Sequence, residues 1–168
     1  MTWLNSDGLT VRFGTEQATP SVIGKTSTAG EIQELVLKVV GIDLPDIATP
    51  TIYSDVGIPQ GAHIVNAVFY VDVAFAGASG TLTFGVWSDD GDGTYTVVDA
   101  DGIDATIAVT AIDAVGDQVA CDGDMTSAPE TKIAVSNNTR DVYLSAGRDA
   151  SNAFTAGSGR LVVRYRKA

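Results

Sequence analysis

The sequence predicts an all-β protein: a jelly-roll-like antiparallel β-sandwich of about eight strands, with an extended N-terminal arm and at most one short helix. Three observations predict it. Apolar residues recur at period two from Ala62 to Ala76, where Val65, Ala67, Phe69, Val71, Val73 and Phe75 read as one apolar face and Asn66, Tyr70 and Asp72 mark the wetter one. The alternation resumes after Gly77-Ala78-Ser79-Gly80-Thr81, with Leu82, Phe84 and Val86 on one side and Thr83, Gly85 and Trp87 on the other, the signature of a hairpin. Asp-Gly dipeptides at 7–8, 90–91, 92–93, 101–102 and 122–123 punctuate the chain into short segments.

Taken in order, residues 1–30 read as the arm, because their apolar groups are sparse and Thr15–Gly30 is rich in Thr, Ser, Ala and Gly. Residues 31–168 read as the sandwich. Leu35, Leu37 and Val39 alternate with Glu34, Val36 and Lys38, and Leu161, Val163 and Tyr165 alternate with Val162, Arg164 and Arg166, so each set predicts a strand with one buried face. Shorter strands are expected at Leu9–Phe13, Thr94–Val98, Gln118–Cys121, Lys132–Val135 and Asp141–Ala146. Ile103–Val115 is assigned to the short helix, with Asp101 or Asp104 as cap and Gly116 as stop, although its Ile, Thr and Val content makes a poor helix former. Many strands demand that sheet edges be managed, and a closed pair of sheets does so.

A chain of 168 residues is most simply one domain, and 45% apolar with 18% charged residues is ordinary globular composition. The N-terminus lacks a basic region followed by an apolar one, and no stretch long enough to span a bilayer is free of charge, so neither secretion nor a membrane is expected. Cys121 is alone, which excludes an intrachain disulfide framework and a thiolate metal cluster and fits synthesis in a reducing cytoplasm. The net charge of −11 disfavours nucleic-acid binding. That charge is unevenly placed: residues 39–131 hold fifteen Asp or Glu and no Lys or Arg, whereas residues 132–168 hold seven basic and two acidic groups. Arg160, Arg164 and Arg166 share one face of the last strand. They would either face acidic groups of their own chain across a sheet or dock on an acidic neighbour.

No catalytic constellation is legible. His63 is the sole histidine, no Gly-x-Ser-x-Gly elbow and no phosphate-binding glycine loop occurs, and the abundant Asp residues select no acid–base pair. The protein is therefore expected not to be an enzyme and to need no cofactor. The nearest approach to a metal site is Ser88-Asp89-Asp90-Gly91-Asp92-Gly93-Thr94, where counting from Ser88 puts Asp90, Asp92 and Asp99 at the third, fifth and twelfth positions of a Ca²⁺ loop. The match is incomplete, and a solvated hairpin loop accounts for the same residues. Trp87, opposite the Leu82 face, would stack on a sugar or lie in a second layer or interface, with Tyr53 and Tyr70 as companions for glycans. Trp3, Leu4 and Phe13 are too few to form a core of their own, so their burial is expected against a neighbouring molecule or the sandwich.

Beside this reading, the opening Trp3-Leu4-Asn5-Ser6-Asp7-Gly8-Leu9 with Val11-Arg12-Phe13-Gly14-Thr15 resembles the N-terminus of small virion structural proteins of tailed bacteriophages. Ile58-Pro59-Gln60-Gly61-Ala62, Ala74-Phe75 leading to Thr81-Leu82-Thr83, and Ala153-Phe154-Thr155-Ala156-Gly157 resemble the same group. The resemblance covers most of the chain. It implies a jelly roll of the phage head, a capsid decoration or cement protein, with related sandwiches in necks and tail fibres. It further implies the major capsid protein as partner, a homo-oligomer with a trimer preferred to a dimer, and a place on the capsid surface after synthesis in the bacterial cytoplasm. Trp3, Leu4, Arg12, Phe13, Arg160, Arg164 and Arg166 are then the expected capsid or subunit contacts. These motifs occupy turns and strands, so they bring no active site with them.

Overall fold

The structure is a computed structural model, and it describes residues 2–4, 10–12, 32–127 and 141–167. Strands β1 (Thr2–Leu4) and β2 (Thr10–Arg12) pair antiparallel, with Trp3 opposite Val11. The sandwich consists of β3 (Ile32–Val40), β4 (Thr51–Ile58), β5 (Ala62–Ala76), β6 (Thr81–Asp89), β7 (Tyr95–Ala108), β8 (Gln118–Ala120), β9 (Val142–Arg148) and β10 (Ala156–Lys167). These form two four-stranded antiparallel sheets, ordered β3-β10-β5-β8 and β4-β9-β6-β7. Apart from β6 and β7, consecutive strands lie in opposite sheets. That wrapping makes the two interlocked Greek keys of an eight-stranded jelly roll.

The core fills the space between the sheets. Leu37 and Val39 of β3, Phe69 and Val71 of β5 and Leu161 and Val163 of β10 meet Leu82, Phe84 and Val86 of β6 and Leu144 and Ala146 of β9. Phe69 is the junction: its ring lies 5.7 Å from Phe75 on its own strand and 5.4 Å from Phe84 of the facing sheet. Tilted and edge-on contacts of this kind add to the burial of each ring.

The period-two reading of β5 holds in the middle and fails at both ends. Val65 and Val73 are 44% and 52% exposed, while Ile64 is buried instead. The cause is three register shifts against β10. Tyr165 and Arg164 pair with Ile64 and Asn66, leaving Val65 unmatched; Ser158 and Gly159 pair with Val73 and Val71, leaving Asp72 unmatched; and Ala156 and Ser158 pair with Ala76 and Val73, a further extra residue on β5 that returns Phe75 to the core. Each extra residue turns the side chains beyond it to the other face.

The helix expected over Ile103–Val115 is not formed. Residues up to Ala108 continue β7, Val109–Ala111 make one 3₁₀ turn, and the chain then runs beside β5, where the Phe75 N–H donates to Ile112 O at 2.9 Å and the Val71 N–H to Asp117 O at 2.9 Å. Pairing with β5 and burial of Ile103, Ile107 and Ile112 override the capping signals. Among the described residues the one α-helical turn is α1 (Asp124–Ser127). Strand β4 is an addition to the expected set, and the expected strand at Lys132–Val135 lies outside the described residues.

Candidate functional site

The outer face of the β3-β10-β5-β8 sheet is the first candidate. Cross-strand register places four rows on it: Lys38, Arg160, Tyr70 and Gln118; Val36, Val162, Val68 and Ala120; Glu34, Arg164 and Asn66; and Ile32, Arg166 and His63. An apolar row thus lies between rows bearing charge. Val36 and Ile32 are 50% and 60% exposed. Arg160 donates through Nε and Nη2 to the Asp72 carboxylate, the shortest contact being 2.9 Å, and this raises the guanidinium's already high pKa. Arg164 Nε donates to Glu34 Oε2 at 3.0 Å. Two of the three arginines of the last strand therefore engage carboxylates of their own chain, one of them in the acidic middle segment. Arg166 is exposed at the end of the face.

The outer face of the β4-β9-β6-β7 sheet is built differently. Ser145 of β9 and Thr83 of β6 project from it yet are 0% and 6% exposed. Two stretches of backbone crowd this face, the irregular middle of β7 and the turn at Ile47. A Cβ on Gly85 would collide with the backbone carbonyl of Ala100, where β7 leaves its register between Asp99 and Asp104, and a Cβ on Gly147 would stand 2.8 Å from Ile47 Cα. Glycine at these two positions is what lets a second layer of backbone lie on the sheet. Trp87 sits beside this second layer, in register between Tyr143 of β9 and Val97 of β7. It is partly buried, and its indole N–H is enclosed with no hydrogen-bond partner among the described residues. Tyr143 meets Tyr95 edge-on, with centroids 5.9 Å apart.

The aromatic residues singled out for glycans are thus separated. Tyr70 stands on the opposite outer face, and Tyr53 pairs with Leu144 and packs against the core, where burial and then the charge of Asp43 raise its hydroxyl pKa. Tyr143 is the cross-strand neighbour of Trp87 and itself packs against Tyr95, and no local pattern in the sequence links Tyr143 to Trp87.

The Asp-rich loop closes the β6–β7 hairpin through turn hydrogen bonds. Asp89 Oδ1 accepts from the Gly91 N–H at 2.6 Å, Asp92 Oδ1 from the Thr94 N–H at 2.8 Å, and Asp90 Oδ2 from the Thr96 hydroxyl at 2.6 Å. Asp99 is not with them. It pairs with Val86, three positions back from Asp89, which is about 10 Å at the strand rise. Its pKa is raised by burial, then by sharing a hydrogen bond with Asp101 and by the charges of Asp101 and Asp124. Among the described residues no three His, Cys, Asp or Glu side chains gather as a metal site.

A buried polar pair lies under α1. Asp104 is 3% exposed, and its carboxylate accepts from the Thr106 N–H at 2.9 Å, from the Asp122 N–H and from the Cys121 thiol. Burial raises the pKa of Asp104, and burial followed by the charge of Asp104 pushes the thiol of Cys121 far up, so this cysteine is a protonated, unreactive core residue. His63, at the start of β5, has Arg166 as its cross-strand neighbour, not a nucleophile. Trp3, Leu4 and Arg12 lie in the β1–β2 hairpin, and Phe13 lies outside the described residues. No helix among the described residues is long and apolar enough to cross a membrane.

Strand order and facing sheets define the class: an eight-stranded jelly-roll β-sandwich. Among solved structures, a chain of the capsid of Ralstonia phage GP4 has the same fold, with a TM-score of 0.52 over 92% of each chain and 16% identical residues. No protein-family model and no curated protein sequence matches the chain.

Proposed function

We propose that this chain is a non-enzymatic structural protein of a tailed-phage virion, a decoration or cement protein that binds the outer capsid lattice and stabilises the head. One observation carries the reading: almost the whole chain shares its jelly-roll fold with a chain of a phage capsid. Its action is mechanical. Docked across junctions between copies of the major capsid protein, each copy adds buried interface to a junction and disfavours its opening. Many modest contacts on a fixed lattice act through high effective concentration. The exposed rows of the β3-β10-β5-β8 sheet, with the arm residues Trp3, Leu4, Arg12 and Phe13, supply the docking surface in this reading, and the net charge of −11 keeps undocked copies apart in the bacterial cytoplasm.

Copy number tests it. Quantitative mass spectrometry of purified virions is expected to give a stoichiometry close to that of the major capsid protein. A handful of copies per particle would move the protein to the neck or tail, and absence from virions would overturn a structural role. The grouping of Trp87, Tyr143 and Tyr95 supports a second reading, a neck or tail-fibre module that binds host-surface glycans. That reading expects glycan-array binding which Trp87→Ala abolishes.

A further inference from the structure

Among the described strands β3 ends its sheet: only β10 pairs with it, and none of them lies along its other edge. Natural edge strands of this length are normally broken by proline, a bulge or an inward charge. β3 has nine residues, no proline and an unbroken register with β10 from Ile32 to Val40. Its outward row reads Ile32, Glu34, Val36, Lys38, Val40, every member exposed. This row is its own complement when reversed about Val36.

We propose that β3 pairs antiparallel with β3 of a second copy around a two-fold axis at Val36, joining two four-stranded sheets into one of eight strands. The register then follows without adjustment. Glu34 faces Lys38 of the other copy, twice by symmetry, Ile32 faces Val40, and Val36 meets its own equivalent on the axis. On the inner row the half-buried Leu35 comes opposite the buried Leu37 of the other copy. Charge supports the same arrangement. Lys38 stands directly beside Arg160 in the sheet, an unfavourable like-charge pair, and a Glu34 arriving on its open side offsets this. A one-residue slip of the register would put apolar side chains against charges and turn the inner row outward. An antiparallel edge contact is isologous and closes at two copies, so this edge builds a dimer in place of the trimer implied by the family resemblance. The pairing does not depend on the capsid role.

Sedimentation equilibrium of the purified chain tests it. The wild type is expected to be a dimer, and Lys38→Glu and Glu34→Lys, each setting like charges face to face at both symmetry-related pairs, are expected to weaken it at least about tenfold. Mixing these two variants restores complementarity at both pairs, so the equimolar mixture is expected to dimerise where neither variant does alone. Val36→Lys, which puts two ammonium groups on the axis, gives the same loss by a separate route. Far-UV circular dichroism melts establish that each variant is folded. A monomeric or trimeric wild type, a dimer indifferent to both charge reversals, or a mixture no tighter than its components would overturn the proposal.

Discussion

The two sheets share a core but treat their outer faces in opposite ways. On β3-β10-β5-β8 the outer residues stand in the open: Ile32, Val36, Val65 and Val73 are each more than 40% exposed, and Arg160 and Arg164 lie along the surface paired with Asp72 and Glu34. On β4-β9-β6-β7, small residues at Thr83, Gly85, Ser145 and Gly147 let backbone crowd the sheet, so that outward positions are as buried as core ones. The difference teaches that burial on a strand is not settled by which way a side chain points. It depends on whether the neighbouring chain has been given room to return across the sheet.

The largest effect is expected where both sheets meet. Phe69→Ala removes the ring that bridges Phe75 and Phe84 and should cost about 3–5 kcal/mol in urea unfolding, since neither rigid sheet can close the cavity. A loss below about 1 kcal/mol would mean that the sheets slide together and do not define a fixed core. Next comes the crowded face. Gly85→Ala drives a methyl group into the Ala100 carbonyl and should cost about 2–3 kcal/mol, whereas Val162→Thr on the open face should change stability by less than about 0.5 kcal/mol. Equal effects at the two positions would erase the distinction between the faces.

The smallest effect concerns pH and lies under α1. The folded-state pKa of Asp104 is raised above its ordinary 3.8, chiefly by burial, so the folded protein holds that proton more tightly than the unfolded chain. The stability Asp104 contributes is therefore fully present below its unfolded pKa and is lost as pH rises through its folded one. Asp104→Asn keeps an acceptor for the Thr106 and Asp122 N–H groups but cannot ionise. Urea midpoints measured from acid to neutral pH should fall less in this variant than in the wild type. An unchanged slope would show that Asp104 is not the group responsible.

How much of this was legible in the sequence depended on whether local pattern and long-range pairing agreed. The centre of β5, β3, β10 and the Leu82, Phe84 and Val86 row of β6 follow from alternation, but the hairpin expected between β5 and β6 is not formed: the two strands lie in facing sheets, so residues 77–80 cross from one sheet to the other, and alternation records a strand's buried face without recording which strand it pairs with. Alternation could not show Val65 and Asp72 as bulges, since a bulge is set by the partner strand's count and not by the bulged strand's own composition. Capping residues around Ile103–Val115 pointed to a helix, but the edge of β5 offered that segment hydrogen bonds and burial that no local signal records. At the candidate sites, cross-strand pairing of the terminal arginines with acidic groups was readable as chemistry, although the sequence alone did not identify Asp72 and Glu34 as the acceptors. The Ca²⁺-loop count placed Asp99 with Asp90 and Asp92 by assuming one continuous loop. A hairpin instead carries Asp99 away along β7. Tyr143 reaches Trp87 from another strand of the same sheet, a neighbour that only topology supplies.

Strands β3 and β10 run antiparallel, with Ile32 opposite Arg166 at one end of the ladder. Tension applied between the start of β3 and the end of β10 would therefore pull both strands from the same end. Loaded so, the ladder peels, its cross-strand hydrogen bonds breaking in succession and each bearing the force alone. A pull between the start of β3 and the turn that precedes β10 would load the same bonds together, in shear, and meet far greater resistance. The resistance of this sandwich to a swelling or vibrating surface is thus a matter of direction, fixed by which two corners of the molecule are held.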